Sequence, residues 1–147
     1  LTPRTTTKPS APISVSLLNV YSRPDRLQIL YELMKEREPT VNISHRELPD
    51  WDEHLKFVNS NPYRAWYFIE AGGIKGACYL SKQNEIGVFV FKAHQGFGYG
   101  KKAISAIIKK HGPGRYLANI NPANDKSIKL FGSLGFELCQ YTYRLDV

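Results

Sequence analysis

The residues best placed to do chemistry lie between Glu85 and Lys102, in the run EIGVFVFKAHQGFGYGKK. Gly96, Gly98 and Gly100 alternate just before a lysine pair, and the carboxylate of Glu85 heads the apolar stretch in front of them. A strand, a glycine loop and a basic helix in that order present unpaired N–H groups and a positive helix end to a phosphate. The amides of Gly96 through Lys101 are the candidate donors, and bare Gly98 and Gly100 let an anion approach the backbone. His45, His54, Trp66 and Tyr67 are further side chains able to hold or deprotonate a ligand. Cys78 and Cys139 make no CxxC pair and both fall in strand-like runs, which predicts buried free thiols rather than a disulfide or a metal site.

Two common phosphate motifs do not fit this spacing. A P-loop needs GxxxxGK followed by Ser or Thr; Lys101 follows Gly100, but the next residue is Lys102 and position 95 is glutamine. A dinucleotide fingerprint needs GxGxxG, whereas these glycines are spaced GxGxG. A glycine turn with no ligand is the plain alternative.

The elements that must position the loop follow from periodicity. Residues 1–12 are rich in Thr, Pro and Ser and read as a flexible tail; residues 13–147 read as a single domain. Ile13, Val15 and Leu17 open a first strand, and Leu27, Leu30, Tyr31 and Met34 mark a helix stopped by Pro39. Asp50 and Glu53 have the spacing of a capping box for a short second helix through about Val58. Ala65–Ala71, the Gly72 and Gly73 turn, Ile74–Ser81 and the Glu85 strand make an antiparallel meander. Ile104, Ile107 and Ile108 stripe a third helix, Arg115–Ile120 reads as a strand, and Ile128, Phe131 and Leu134 mark a fourth helix. Phe136–Leu145 reads as a last strand. The order βααβββαβαβ predicts a mixed α/β (α+β) fold.

Composition narrows the class. Lysine and arginine number 20 against 13 acids, a net charge of +7, which favours an anionic partner: nucleic acid, an acidic substrate or a phosphorylated cofactor. No apolar run approaches the roughly 20 residues of a membrane span, and the start lacks the apolar core of a secretory signal, so the expected compartment is cytoplasmic.

Gln95, Gly98 and Gly100 match the Gln/Arg-x-x-Gly-x-Gly/Ala signature of GNAT-superfamily acyltransferases, which hold the pyrophosphate of acetyl-coenzyme A there. Asn124, Ser127, Leu130, Phe131, Gly135 and Phe136 resemble that superfamily's second signature, Asn-x-x-(Ala/Ser)-x-x-Leu-Tyr-x-x-x-Gly-Phe. The resemblance runs from Ile13 to Leu145. It implies a mainly antiparallel central sheet, helices on both faces, and a V-shaped splay between the fourth and fifth strands.

What the resemblance implies about chemistry is specific. Acetyl-CoA is the co-substrate, with no metal and no covalent enzyme intermediate. Phe89, Val90 and Phe91 would line the pantetheine and offer an amide to the oxyanion. Gln95, Gly96, Phe97, Gly98, Tyr99, Gly100, Lys101, Asn124, Ser127 and Phe131 would complete the cofactor site. An alkylammonium is protonated at neutral pH, so a base must free the amine. Glu85 is the candidate, with His45 behind it. The tyrosine that often protonates the leaving thiolate is replaced by Phe131; either the thiolate leaves unassisted, since a thiol is acidic, or another group helps, with Tyr141 and Tyr143 as candidates. His45, His54 and Trp66 would contact the acceptor.

The expected acceptor is a primary amine on a small molecule, with a nucleotide-linked amino sugar suggested by similarity around Glu53–Phe57 and Asn121–Ser127. The alternatives are protein or peptide amines, a nucleic-acid-modifying acetyltransferase and a non-catalytic acyl-CoA-binding module. The expected assembly is a monomer or homodimer.

Overall fold

The computed structural model describes residues 14–37 and 48–147. Strands β1 (Ser16–Asn19), β2 (Ala65–Glu70), β3 (Ile74–Leu80) and β4 (Ile86–Val90) form one antiparallel sheet in the order β1-β2-β3-β4. Helices α1 (Arg26–Lys35), α2 (Trp51–Asn59), α3 (Tyr99–His111) and α4 (Asp125–Ser133) complete the described elements, with short 3-10 turns at Val20–Ser22 and Lys92–His94.

The period-2 pattern of the strands decides which helix goes where. Tyr67, Ile69, Cys78, Leu80 and Ile86 point to one face and are buried with Ala103, Ile104 and Ile107 of α3 and Phe131 of α4. Phe68 and Ala77 point to the other and are buried with Leu30 and Leu33 of α1 and Val58 of α2. Full burial of a side chain such as Ile104 or Ile107 contributes about 1.5–3 kcal/mol, so these two layers cover the sheet on both faces. The capping box predicted for α2 is present: Glu53 N–H donates to Asp50 Oδ1 at 2.8 Å and Asp50 N–H to Glu53 Oε1 at 3.4 Å. Gly72 and Gly73 turn the β2–β3 hairpin at positive φ.

Three sequence expectations are corrected. The strand expected over Arg115–Ile120 is a single parallel bridge, Glu85↔Leu117. The strand expected over Phe136–Leu145 is absent: residues 136–147 form no ladder, and Leu138, Tyr141, Tyr143 and Leu145 are exposed. Cys139 lies on that segment and is exposed, while Cys78 is buried as expected. Alternating apolar residues mark a face but supply no partner edge, and a strand is stable only where a ladder forms. Ile13, His45 and the tail over residues 1–12 lie outside the described residues.

Candidate functional site

The glycine loop is built from the end of β4. Phe91 leaves the sheet after donating its N–H to the Lys75 carbonyl at 3.0 Å, and the Lys92–His94 turn brings the chain to Gln95. The Gln95 side chain reaches back, Nε2 to the Val90 carbonyl at 3.0 Å, so it braces the loop on the strand. Gly96 and Gly98 stand at φ +84° and +89°, where a Cβ costs about 1–2 kcal/mol. Gly98 caps α3 with no side-chain acceptor, and the first intrahelical bond runs from Lys102 N–H to the Gly98 carbonyl at 3.1 Å. The amides from Gly96 to Lys101 therefore make no backbone hydrogen bond among the described residues. They lie at the positive N-terminus of α3, whose first turn carries the exposed Lys101 and Lys102, and the Lys75 ammonium stands 5.7 Å from the Tyr99 ring centroid. That donor set fits a pyrophosphate.

Gly98 and Gly100 turn out to do different work. A Cβ on Gly98 would meet open space, while one on Gly100 would face the sheet, 3.4 Å from Leu130 and 3.9 Å from Val88 and Val90. Gly98 keeps the backbone conformation and the approach to it; Gly100 seats α3 on β4.

Beside the loop lies an unpaired strand edge. Ser81 N–H donates to the Glu85 carbonyl and Phe91 N–H to the Lys75 carbonyl, so the odd residues of β4 bond to β3. The even residues face the other way, and Ile86 N–H donates to the Leu117 carbonyl at 2.8 Å. Beyond that bond, the Val88 and Val90 amides have no backbone partner among the described residues. Of the predicted Phe89–Phe91 stretch, only Val90 thus points an N–H into the gap, and Val88 joins it from outside the predicted range.

Glu85 stands where the gap begins. Its carboxylate accepts from Ser81 Oγ at 2.9 Å and from Asn119 Nδ2, and its own N–H donates to Ser81 Oγ at 2.9 Å. Ser81 and Asn119 were missed in the sequence. A serine four residues before the glutamate, closing a turn, was the available signal for the first; nothing local announces the second.

The α1/α2 face above β4 is aromatic. Tyr63 stacks on Tyr79 at 4.0 Å with planes 7° apart, and Trp66 meets Tyr63 edge-on at 4.8 Å. The Arg37 guanidinium stands 4.4 Å from the Phe89 ring centroid. Burial raises the phenol pKa of both Tyr63 and Tyr79; Tyr79 adds to the rise at Tyr63 and Glu85 to that at Tyr79, and Arg37 partly offsets both. Both keep their protons at neutral pH.

The remaining predicted residues are placed as follows. His54 is 1% exposed and packed between Tyr31 and Trp51, with Nε2 donating to the Leu27 carbonyl at 2.8 Å. It joins α2 to α1 inside the protein rather than at an open face. Trp66 lines a cavity of about 310 Å³ with Tyr21, Arg64, Tyr67 and His111. Asn124 caps α4 through Ser127 N–H at 3.2 Å. Phe131 is 4% exposed and packs against Phe136 in the α3/α4 core. Tyr141 and Tyr143 stack on each other at 73% and 89% exposure.

A run of unpaired amides at a helix start and an open strand edge leading to it are the arrangement expected of an acyltransferase that uses coenzyme A. The chain belongs to the acetyltransferase (GNAT) family, whose model matches residues 27–136. It is an acetyltransferase that uses acetyl-CoA and acts on an amine. No curated protein matches the chain. Solved structures share the fold. A domain from Methanocaldococcus jannaschii is 22% identical, with 88% of this chain and 92% of that chain covered and a TM-score of 0.74. An acetyltransferase from Thermus thermophilus is 19% identical, covering 85% and 88%, at a TM-score of 0.63. The microcin C7 self-immunity acetyltransferase MccE, in complex with acetyl-CoA and AMP, is 18% identical, covering 84% and 78%, at 0.60. Among the described residues no helix is long and apolar enough to cross a membrane.

Proposed function

We propose that the protein acetylates the primary amine of a small molecule, an amino sugar linked to a nucleotide being the acceptor suggested by the sequence. The observation that carries the reading is the open edge of β4, which begins at Glu85 and ends at the Gly96–Lys101 amides. A pantetheine arm laid along that edge would bond to Val88 and Val90 as an added strand does. Its pyrophosphate would fall on the α3 amides.

In this reading Glu85 is the general base. Ser81 and Asn119 hold its carboxylate at the closed end of the gap, where it takes a proton from the acceptor ammonium directly or through one water. Positioned general bases contribute typically about 10²–10⁴-fold. The Val88 or Val90 N–H, fixed in the sheet, faces the charge that develops on the carbonyl oxygen, and such a preorganised donor costs no reorganisation. Trp66, Tyr63 and Tyr79 give the acceptor an aromatic wall able to pack against a sugar or base.

Screening amines by thiol release from acetyl-CoA tests the reading. Turnover with amino sugars above that with lysine or N-terminal peptides supports it. A preference for peptides moves the acceptor to protein. Acetyl-CoA binding without thiol release from any amine leaves the binding module.

A further inference from the structure

Phe131 has no proton to give, and Tyr141 and Tyr143 stand on the exposed C-terminal segment, yet a thiolate must leave when the amide forms. Tyr79 is a phenol in a different setting. It stands opposite Gly87 in the β3–β4 register, and its ring lies across the neighbouring strand instead of pointing off its own. A Cβ built on Gly87 would overlap the Tyr79 ring carbons and lie 2.6 Å from the hydroxyl. Only glycine at 87 leaves room for that ring. Strands are about 4.8 Å apart, so the phenol crosses from β3 to β4 and delivers its hydroxyl over the strand whose far edge is open.

Two more observations fix the group. Tyr63 stacks on the Tyr79 ring at 4.0 Å and holds its plane. The hydroxyl has no hydrogen-bond partner among the described residues, although the side chain is partly buried. The titratable and charged groups facing it are Tyr63 before β2, Arg37 after α1 and Glu85 at the head of β4. Burial keeps the phenol protonated, one residue along from the Val88 amide.

Resting on the acetyl-transfer reading above, we infer that Tyr79 is the proton donor to the departing thiolate and that Gly87 is the residue that positions it. The amine nitrogen bonds to the thioester carbonyl carbon, and the carbon–sulfur bond breaks with its electron pair on sulfur. The phenol proton passes to that sulfur. The nitrogen loses its second proton to water as the amide forms, Glu85 passes the first to solvent, and the phenolate is reprotonated from solvent, so each turnover releases one proton.

The test is a cycle of Tyr79→Phe, Gly87→Ala and the double variant, assayed by thiol release with an amine that the wild-type protein acetylates. Phenylalanine keeps the stack on Tyr63 and removes only the hydroxyl. Tyr79→Phe should lower kcat at least about tenfold, with KM for the amine and the acetyl-CoA Kd unchanged. Gly87→Ala keeps the hydroxyl but pushes its ring aside, and should lower kcat likewise. The double variant should be no slower than Tyr79→Phe, because both changes remove one contribution. A kcat for Tyr79→Phe within twofold of wild type overturns the inference, as does a double variant whose losses multiply. Wild-type protein that releases no thiol with any amine overturns the acetyl-transfer reading itself, and the inference falls with it.

Discussion

Glu85 and Leu117 are joined by one parallel bridge: Ile86 N–H donates to the Leu117 carbonyl at 2.8 Å and Leu117 N–H to the Asn84 carbonyl at 3.0 Å. Those two bonds pin the strand and its neighbour together at Glu85 and nowhere beyond it among the described residues. The same residue is held through its side chain by Asn119, two positions after Leu117. The base candidate therefore marks the closed end of the gap, and the open amides of Val88 and Val90 follow from it along the strand.

Replacing Glu85 by Gln keeps the shape and the Ser81 and Asn119 neighbours but removes the proton acceptor. Turnover should fall about 10²-fold or more. Steady-state rates check this, and a kcat within twofold of wild type would retire the base assignment.

Gly98→Val should weaken acetyl-CoA binding by about tenfold or more, since a β-branched residue at φ +89° forces the amide cradle to rearrange at a cost of about 1–2 kcal/mol. Gly100→Ala is the contrast. Its methyl group finds ordinary contact distances at Leu130, Val88 and Val90, so the Kd should change by less than about threefold. Isothermal titration calorimetry separates the two; equal losses would show that the loop, not the Gly98 conformation, is what matters.

Gly76→Ala should destabilise the sheet. A Cβ there overlaps the Phe89 carbonyl oxygen and comes within 2.8 Å of Val90 Cα, and backbone cannot step aside as a side chain can. A cost of about 1–3 kcal/mol is expected. At about 2–4 °C per kcal/mol for a chain of this size, thermal unfolding should show the loss plainly. An unshifted Tm would contradict the close β3–β4 approach.

Alkaline pH should weaken the fold through its buried phenols. Tyr63 and Tyr79 hold their protons more tightly folded than unfolded. Their contribution is complete below the ordinary tyrosine value of about 10 and is lost as pH rises above it. Urea midpoints at about pH 8 and about pH 10.5 should therefore diverge more in wild type than in Tyr63→Phe. Equal divergence would show that Tyr63 is not the group responsible.

How much of this was legible beforehand varies by element. The apolar stripe of Ile104 and Ile107, the Asp50/Glu53 cap and the Gly72–Gly73 turn are local signals, and each formed where its sequence placed it. Phe136–Leu145 has the same quality of alternation, yet forms no ladder. His54 has the chemistry of a base but is spent on the Leu27 carbonyl. Side-chain type advertises capacity; burial and partners decide use.

The sequence by itself determined the run of unpaired amides that opens α3, because glycine spacing and an uncapped basic helix are backbone properties that neighbours in the chain already dictate. It also determined the two-sided sheet, since the period of each strand assigns its faces. The tertiary structure alone decided what flanks those amides. Asn119 reaches Glu85 across 34 residues, and Tyr79 crosses to Gly87 only because the β3–β4 register sets them opposite. Contacts of that kind depend on which strands pair and where pairing stops, which no local pattern encodes.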